Sequence, residues 1–311
     1  MSAKVMTAGP DAYARAAKTL QAGGLVALPT ETVYGLAGDA KSDAAIAAIY
    51  NAKGRPSNNP LITHLLAPEH AARYAVIPAL ATELMAQFWP GPLTLVLPRR
   101  DSDLAERASA GLDTIALRCP DAPWRAGLIA AGWSGPLVMP SANLSGHVSP
   151  TTAAHVAADL GDRIPLIIDG GACARGLEST VIRVDAGGAI LLRSGAIAED
   201  VIAAITGPLA QPNPEGPLAS PGMLARHYAP QASLRLNANK ASDGETLIGF
   251  GPAYREPSLS QSGDLSEAAR NLYRLLRDLD GPHVRLAVAP IPNTGLGIAI
   301  NDRLRRAALG R

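Results

Sequence analysis

The chain has 311 residues, of which 47% are hydrophobic and 18% are charged, and its formal net charge is +1. This length exceeds the size at which one hydrophobic core is usual, so two domains are expected. The near-neutral charge argues against a protein that holds nucleic acid mainly by bulk electrostatics, so any RNA contact should be local or made by a partner.

Neither targeting nor metal-binding signals stand out in the sequence. Residues 1–10 lack the apolar run of a signal peptide, and no later segment reaches the length needed to cross a bilayer, which predicts a cytosolic protein without membrane contact. Cys119 and Cys173 have no neighbouring Cys or His at zinc-ligand spacing. We therefore expect buried free thiols and no metal site built on these cysteines.

The first two thirds of the chain alternate Ala- and Leu-rich helical segments with short apolar runs. A helix is predicted over residues 11–21, followed by a buried strand over residues 25–28, and Asp43 is expected to cap the next helix. Further strands are predicted over residues 61–65, 93–97, 114–117, 137–139, 166–168, 179–184 and 189–192. Because helices separate some strands and turns separate others, we expect an α/β fold with a twisted mixed sheet.

Five prolines between Gly207 and Pro221 oppose both helices and central strands. This composition divides the chain into a first domain (1–206), a proline-rich linker (207–232) and a second domain (233–311). The second domain alternates strands and helices, predicted over residues 245–250, 266–279, 284–288 and 296–309. That order favours a small Rossmann-like α/β unit, in which Gly249-Phe-Gly251 is expected to be a tight turn and not a nucleotide site.

The segment from Lys53 to His64 contains two cations and no carboxylate. Gly54, Pro56 and Pro60 oppose regular structure and predict a shaped loop at the exit of a helix. An arginine can bind two phosphate oxygens together and a lysine acts as a point charge, so Lys53 and Arg55 are candidates for binding an anion. A solvated basic turn is the alternative interpretation of this segment.

Further motifs accompany this segment in a specific order. They are Pro29-Thr-Glu-Thr-Val-Tyr-Gly-Leu36, Pro140-Ser-Ala-Asn-Leu-Ser-Gly146, Gly176-Leu-Glu-Ser-Thr-Val181, Leu192-Arg-Ser-Gly-Ala-Ile197 and Ser220-Pro-Gly-Met-Leu-Ala-Arg-His-Tyr-Ala-Pro230. Together they resemble the threonylcarbamoyl-AMP synthase family, in the long, two-domain form of the YrdC/Sua5 enzymes. The resemblance implies a YrdC-like first domain whose sheet carries a large concave cavity, and a Sua5-type second domain.

The resemblance also implies a reaction. L-threonine, bicarbonate and ATP would give L-threonylcarbamoyl-AMP and pyrophosphate, the first step towards threonylcarbamoyladenosine in tRNA. Negative charge accumulates on phosphorus oxygens in such a transition state, so fixed cations matter more than a nucleophilic side chain. Mg²⁺ is expected to be held mainly by the ATP phosphates. The implied partner is an enzyme complex that transfers the threonylcarbamoyl group to tRNA.

Residue chemistry and the resemblance together give candidates for each ligand. Lys53 and Arg55 are the expected catalytic cations. The candidates for ATP binding are Arg55, Asn59, Thr114, Ser141, Asn143, Ser149, Arg193 and Tyr228. The candidates for threonine binding are Thr32, His64, Arg118, Met139 and Ser179. Turn capping competes with binding as the explanation for Ser141 and Asn143, and a salt bridge competes as the explanation for Arg118.

Several features keep more than one interpretation. His64 is expected to hydrogen-bond the substrate and not to act as a general base. Glu31 and Glu178 flank the expected cavity without an assigned role. The resemblance implies that Tyr228 reaches the nucleotide and that the linker closes over it as a lid. The alternative is that the linker is a passive tether. Arginines 303, 305 and 306 are expected on a solvated helix face, with a docking site for tRNA or a partner enzyme as the alternative.

Two other functions compete with the synthase. Hydrogenase-maturation carbamoyltransferases contain a related domain that makes carbamoyl-adenylate, but they also carry cysteine-rich zinc regions that this chain lacks. A regulator that binds structured RNA is the non-enzymatic alternative, and the net charge of −2 over residues 1–205, from 16 Lys and Arg against 18 Asp and Glu, argues against it.

Overall fold

The computed structural model of the chain describes residues 2–56, 59–212 and 228–310. Within these residues ten strands form one mixed sheet. Their bounds are β1 Lys4–Thr7, β2 Val26–Leu28, β3 Gly35–Asp39, β4 Ile62–His64, β5 Leu93–Pro98, β6 Thr114–Arg118, β7 Leu137–Val138, β8 Leu166–Asp169, β9 Thr180–Asp185 and β10 Gly188–Arg193. They are arranged in the order β1-β8-β2-β3-β7-β4-β6-β5-β9-β10. Parallel pairs such as β4 with β6 alternate with antiparallel pairs such as β5 with β6, which confirms the mixed sheet.

Helices pack against both faces of this sheet and bury their apolar sides in two core clusters. Their bounds are α1 Pro10–Gln21, α2 Asp43–Lys53, α3 Ala79–Phe88, α4 Trp124–Ala130, α5 Ala153–Leu160 and α6 Glu199–Thr206, with short 3-10 helices at Pro68–Arg73 and Glu106–Ala108. The expected cap of α2 was wrong by one residue. The hydroxyl of Ser42 accepts the N–H of Ala45 and caps the helix, whereas Asp43 lies in its first turn, where its charge favours the helix dipole.

The end of α2 positions the basic loop. Gly54 has a φ of 59°, a left-handed conformation that glycine adopts without steric cost, and it ends the helix directly after Lys53. Of the two cations of the predicted anion loop, Lys53 is therefore the last residue of α2, whereas Arg55 lies beyond the helix cap. Ser57 and Asn58 lie outside the described residues.

Two strands of the large sheet were absent from the sequence prediction. β3 has the sequence Gly-Leu-Ala-Gly-Asp, which lacks the β-branched and aromatic residues that signal a strand, and it is held by pairing with β2 and β7. β1 lies at the sheet edge, pairs only with β8 among the described strands and is largely exposed. Long-range pairing creates both strands, which local sequence does not reveal.

The second domain contains a parallel sheet of three strands within the described residues. Its elements are β11 Ser233–Arg235, β12 Glu245–Ile248, α7 Leu265–Asp278, β13 Arg285–Val288 and α8 Leu296–Ala308, and the strand order is β11-β13-β12. The predicted Rossmann-like alternation is present with one additional strand, β11, at its start. Gly249-Phe-Gly251 directly follows β12, which is the second strand of this sheet in chain order.

The two domains share an apolar core. Val33 and Leu177 of the first domain pack in one cluster with Tyr228 and with residues of α7 and α8. Gly176, with a φ of 73°, lies so close to α7 that an added Cβ would be 2.5 Å from the Cα of Arg270. Only glycine fits this contact, so the Gly-Leu-Glu-Ser-Thr motif packs directly against the second domain.

The domain boundaries at 206/207 and 232/233 stay predictions. Residues 213–227, which include most of the proposed linker and lid, lie outside the described residues. The two cysteines are free and buried, as expected. Among the described helices, none has the length and apolar character required to span a membrane.

Candidate active site

One cavity of the first domain is lined by most of the predicted site residues. Its empty volume is about 530 Å³, a figure that includes space open to solvent. The residues that line it are Thr32, Val33, Arg55, Ile62, His64, Arg118, Met139, Pro140, Ser141, Glu178, Ser179, Arg193 and Tyr228. All five threonine-binding candidates line this cavity. Five of the other candidates do not line it, namely Lys53, Asn59, Thr114, Asn143 and Ser149.

Arg55 supplies an unneutralised positive charge to the cavity. Its Nη2 donates a hydrogen bond to the Pro60 carbonyl at 3.3 Å, and its buried Nε has no hydrogen-bond partner among the described residues. Among the described residues, no carboxylate forms an ion pair with Arg55. Burial lowers the pKa of Arg55 to about 10, which still leaves the guanidinium charged at neutral pH.

Lys53 lies behind the cavity wall and not in it. Its Nζ is buried and donates hydrogen bonds to the carbonyls of Ser141 and Asn143, each at 2.5 Å. Burial, reinforced by the charge of Arg55, lowers the pKa of Lys53 well below its ordinary value. In this arrangement Lys53 fixes the loop that carries Ser141, which does line the cavity.

Asn143 and Ser149 support the wall from outside. The Nδ2 of Asn143 donates to the carbonyls of Leu144 and His147, which is the turn-capping role that competed with binding. The Oγ of Ser149 donates to Glu178 at 2.6 Å. The Ser149 hydroxyl and the Asn143 Nδ2 are thus engaged with protein atoms, whereas the buried Oδ1 of Asn143 has no hydrogen-bond partner among the described residues.

Asn59 and Thr114 lie at the margins of the site. Asn59 is buried, its backbone carbonyl accepts the Tyr50 hydroxyl at 2.9 Å, and its Oδ1 has no partner among the described residues. Thr114 begins β6, whereas Arg118 ends the same strand. Because a strand rises about 3.3 Å per residue, these two side chains are separated by roughly 13 Å along β6.

His64 and Arg118 end neighbouring parallel strands and face the cavity together. The Nδ1 of His64 lies 3.1 Å from the Ile62 carbonyl, and since a carbonyl only accepts, Nδ1 carries the proton. Burial, with the nearby Arg118, lowers the pKa of His64 to about 3. The ring is therefore neutral, and its Nε2 is free to accept a hydrogen bond from a ligand.

This lowered pKa predicts how stability depends on pH. Between pH 6.5 and about 3 the unfolded chain takes up a proton at residue 64 that the folded chain does not. The free energy of unfolding should therefore fall as the pH falls through this window, by up to about 1.4 kcal/mol per pH unit from this histidine. Urea unfolding of His64→Gln beside the parent protein measures how the free energy of unfolding of each protein changes with pH. The difference between the two pH slopes should vanish above pH 7. Equal slopes for the two proteins would contradict a buried neutral His64.

Arg193, which ends β10, and Ser179, which directly precedes β9, form another part of the cavity wall. The guanidinium of Arg193 donates to the Ser179 carbonyl at 2.8 Å and to its hydroxyl at 3.1 Å. The Ser179 hydroxyl also lies 2.7 Å from the Thr94 hydroxyl. Ser179 therefore presents a hydroxyl whose orientation is fixed by two neighbours.

Glu178 joins the cavity to the second domain. Its Oε2 accepts the Tyr273 hydroxyl of α7 at 2.9 Å and the Nε of Arg303 from α8 at 3.0 Å. Burial alone would raise the pKa of Glu178, but Arg303 and Arg193, with the Ser149 hydrogen bond, outweigh it and lower the pKa to about 2. Glu178 is thus a charged carboxylate buried between the domains, a role that the sequence did not reveal.

The expected solvated position of Arg303 was wrong. Its side chain is 1% exposed, and it also donates to the Ser194 carbonyl at 2.8 Å. In α8 it belongs to the stripe Ala299, Ile300, Leu304 and Ala307, which are buried at helical spacing, so the pattern indicates an inward position. Arg305 and Arg306 lie outside that stripe.

Arg303 also holds Tyr228 against the cavity. Its guanidinium lies 4.9 Å from the centroid of the Tyr228 ring, which is stacked on Tyr273 at 5.7 Å. Tyr228 has a φ of 63°, and a left-handed conformation costs a non-glycine residue roughly 1–2 kcal/mol. These ring contacts offset that cost and place a second-domain assembly on the wall of a first-domain cavity.

The described residues contain no group of three or more His, Cys, Asp or Glu side chains placed to hold a metal ion.

Comparisons with known proteins agree with this architecture. The family model described as "Telomere recombination" matches residues 18–195, and the one described as "Threonylcarbamoyl-AMP synthase, C-terminal domain" matches residues 196–309. Threonylcarbamoyl-AMP synthase of Bacillus subtilis (strain 168) is 41% identical over 326 residues, which cover 96% of this chain and 93% of that protein. The synthase of Pyrococcus abyssi is 39% identical, with 94% and 93% covered.

Solved structures give the same result. The crystal structure of P. abyssi Sua5 complexed with L-threonine superposes with a TM-score of 0.88 at 36% identity and covers 98% of this chain and 96% of that one. The chain belongs to the threonylcarbamoyl-AMP synthase family, in its two-domain form. This confirms the resemblance inferred from the motifs and the classification as an ATP-using transferase. Full-length HypF, at 22% identity and a TM-score of 0.54, shares the fold alone.

Proposed function

We propose that the chain joins L-threonine, bicarbonate and ATP into L-threonylcarbamoyl-AMP and releases pyrophosphate. The observation that carries this proposal is the division of the cavity into two kinds of wall. One contains Arg55, a cation without a carboxylate partner in the described chain. The other contains His64 and Arg118, a neutral acceptor beside a cation. The first suits a triphosphate, and the second suits an amino acid with a hydroxyl.

In this proposal the threonine carboxylate contacts Arg118 and the threonine hydroxyl donates to the Nε2 of His64. Thr32 and Ser179 add hydroxyls close to the same place, and Met139 supplies an apolar contact for the methyl group. The His64 ring suits an acceptor role because its neutral form predominates throughout the physiological range. With so low a pKa it is too weak a base to take a proton efficiently near neutral pH.

The reaction needs no covalent enzyme intermediate. The threonine amine and bicarbonate form a carbamate and release water. A carbamate oxygen then attacks the α-phosphorus, the bond from that phosphorus to the bridging oxygen breaks, and pyrophosphate leaves with the bond's electron pair. Arg55 and Arg193 stabilise the charge that accumulates on the phosphate oxygens. Lys53 contributes indirectly, by fixing the Ser141 loop.

We propose that Mg²⁺ enters with ATP, where phosphates and water hold it. The two carboxylates nearest the cavity are already engaged: Glu178 accepts from Ser149, Tyr273 and Arg303, and Glu31 forms an ion pair with Arg118. When bound, the ion would neutralise phosphate charge.

The product is a mixed anhydride of a carbamic acid and AMP, so an acyl acceptor must consume it. We propose a complex that transfers the group to tRNA as this downstream partner. Direct tRNA contact loses support, because Arg303 is buried and Arg306 forms an ion pair with Asp302. The cytosolic location stays a prediction.

An assay of pyrophosphate release tests the proposed function. Release should require threonine, bicarbonate and ATP together, and mass spectrometry should detect threonylcarbamoyl-AMP. Release that depends on carbamoyl phosphate and not on threonine would support the carbamoyltransferase alternative. Binding of structured RNA without any release would support the regulator.

Serine tests the threonine pocket. It offers the same carboxylate and hydroxyl but lacks the methyl group, and one methyl in an apolar contact contributes about 1–3 kcal/mol to discrimination. We expect serine to be used with a kcat/KM roughly 10- to 200-fold below that of threonine. Paired measurements at saturating ATP and bicarbonate give this ratio, and equal efficiency for the two amino acids would refute the pocket assignment.

A further inference from the structure

The cations that line the catalytic cavity differ in how they are neutralised. The Nη2 of Arg118 lies 2.7 Å from the Oε1 of Glu31, and these side chains are only 5% and 11% exposed. Arg193 interacts with the charge of Glu178. Arg55 has no carboxylate partner within residues 2–56, 59–212 and 228–310. The cavity therefore has a neutralised pole at Arg118 and a positive pole at Arg55.

Glu31 lies on the far side of Arg118 from the cavity. It does not line the catalytic cavity, but it lines a second one between the two domains together with Gly91, Asp121 and Arg270. Arg118 also reaches this side, where its Nε donates to the Gly91 carbonyl at 3.2 Å. The guanidinium thus presents one edge to the ligand and another to Glu31.

The backbone holds Glu31 in this position. The Thr30 hydroxyl accepts the N–H groups of Thr32 and Val33, which fixes the turn, and the Glu31 carbonyl accepts the N–H of Arg175 at 2.7 Å. The carboxylate oxygens of Glu31 are inaccessible to solvent and accept no well-aligned hydrogen bond from the described residues. The charge of Arg118 is therefore what holds the carboxylate there.

This pairing changes which anion Arg118 attracts. Opposite charges interact strongly at short range in a buried site, so the carboxylate of Glu31 at 2.7 Å cancels much of the field of Arg118. A single substrate carboxylate still gains hydrogen bonds from the free edge of the guanidinium. A polyphosphate depends more on net charge, and it is drawn instead to Arg55.

We propose that Glu31 is a specificity-determining residue that reserves the Arg118 subsite for a monocarboxylate and directs polyphosphate to Arg55. The inference rests on the proposed function, in which threonine and ATP bind in one cavity. It gives a reason for a buried carboxylate beside a substrate-binding arginine, since both the nucleotide and the pyrophosphate product would otherwise compete with the amino acid.

The test is the inhibition pattern of pyrophosphate in the full-length enzyme. With the parent protein, pyrophosphate should compete with ATP and not with threonine. Glu31→Gln keeps the size of the side chain and an acceptor for Arg118 but removes the charge. In this variant pyrophosphate should become competitive with threonine, with an inhibition constant against threonine at least roughly tenfold lower than in the parent.

Two further variants control for general effects of charge and fold. Asp121→Asn removes an exposed carboxylate from the same interdomain cavity and should leave the parent pattern unchanged. Glu31→Asp retains the charge and should retain the parent pattern.

Competition between pyrophosphate and threonine in the parent protein would overturn the proposal, as would a Glu31→Gln variant with the parent pattern. Loss of threonine binding in Glu31→Gln would also overturn it, by assigning Glu31 to orienting Arg118. A parent protein that fails to bind threonine would contradict the proposed function itself.

Discussion

Replacing Arg55 with alanine should lower kcat/KM for threonylcarbamoyl-AMP synthesis by roughly 10²- to 10³-fold, the usual cost of removing one preorganised donor to a developing negative charge. Arg55 is the lining cation that no carboxylate neutralises in the described chain, so its field acts on the phosphates without internal compensation. Its Nε is buried without a hydrogen-bond partner among the described residues, so the protein leaves part of this guanidinium unsatisfied. Steady-state kinetics with ATP as the varied substrate measure the loss.

Two variants separate the geometry of Arg55 from its charge and from surface effects. Arg55→Lys keeps the charge but loses the planar fork, so it should fall between the parent and the alanine variant. Arg15→Ala removes an exposed arginine on α1 and should behave like the parent. If Arg55→Ala keeps parental kcat/KM, the phosphates lie elsewhere.

The second large effect concerns the link between the domains. Arg303→Met should destabilise the protein by about 3–5 kcal/mol, because it leaves the buried carboxylate of Glu178 without its ion-pair partner. Glu178→Gln should also be destabilising, since it leaves a buried guanidinium with fewer acceptors. Removing both charges together should cost less than the sum of the two single losses. Denaturant unfolding of the four proteins completes this double-mutant cycle.

The same cycle reports on the active site. Arg303 stabilises Tyr228 in its left-handed conformation on the cavity wall, so Arg303→Met should raise the KM for ATP more than it lowers kcat at a temperature where the variant is folded. Additive stability losses would show that Glu178 and Arg303 act independently. An unchanged KM for ATP would show that the second domain does not position Tyr228 for the nucleotide.

The sequence predicted elements well where local pattern and tertiary environment agree. β5 and β6 are largely apolar runs because both of their faces are buried, and α7 shows its buried leucines at helical spacing. β3 was missed because glycines and alanine occupy a strand that only its neighbours define. The cap of α2 was misassigned because Ser42 and Asp43 are both good capping residues, and only the hydrogen bond distinguishes them.

The site was predictable to the extent that short motifs bring side chains to strand ends. His64 and Arg118 meet because parallel β4 and β6 end at the same edge. The sequence did not predict the contacts of charged residues whose partners are distant in the chain. Lys53 binds carbonyls 88 and 90 residues away, and Glu178 binds Arg303 across 125 residues. No local pattern encodes such pairings, although the position of Arg303 within an apolar stripe indicates that it faces inward.

A crystal structure with threonine and a non-hydrolysable ATP analogue tests the division of the cavity most directly. We predict the triphosphate against the guanidinium of Arg55, the threonine carboxylate against Arg118, and the threonine hydroxyl within hydrogen-bond distance of the Nε2 of His64. A triphosphate bound at Arg118, or a threonine bound away from this pair of residues, would contradict it.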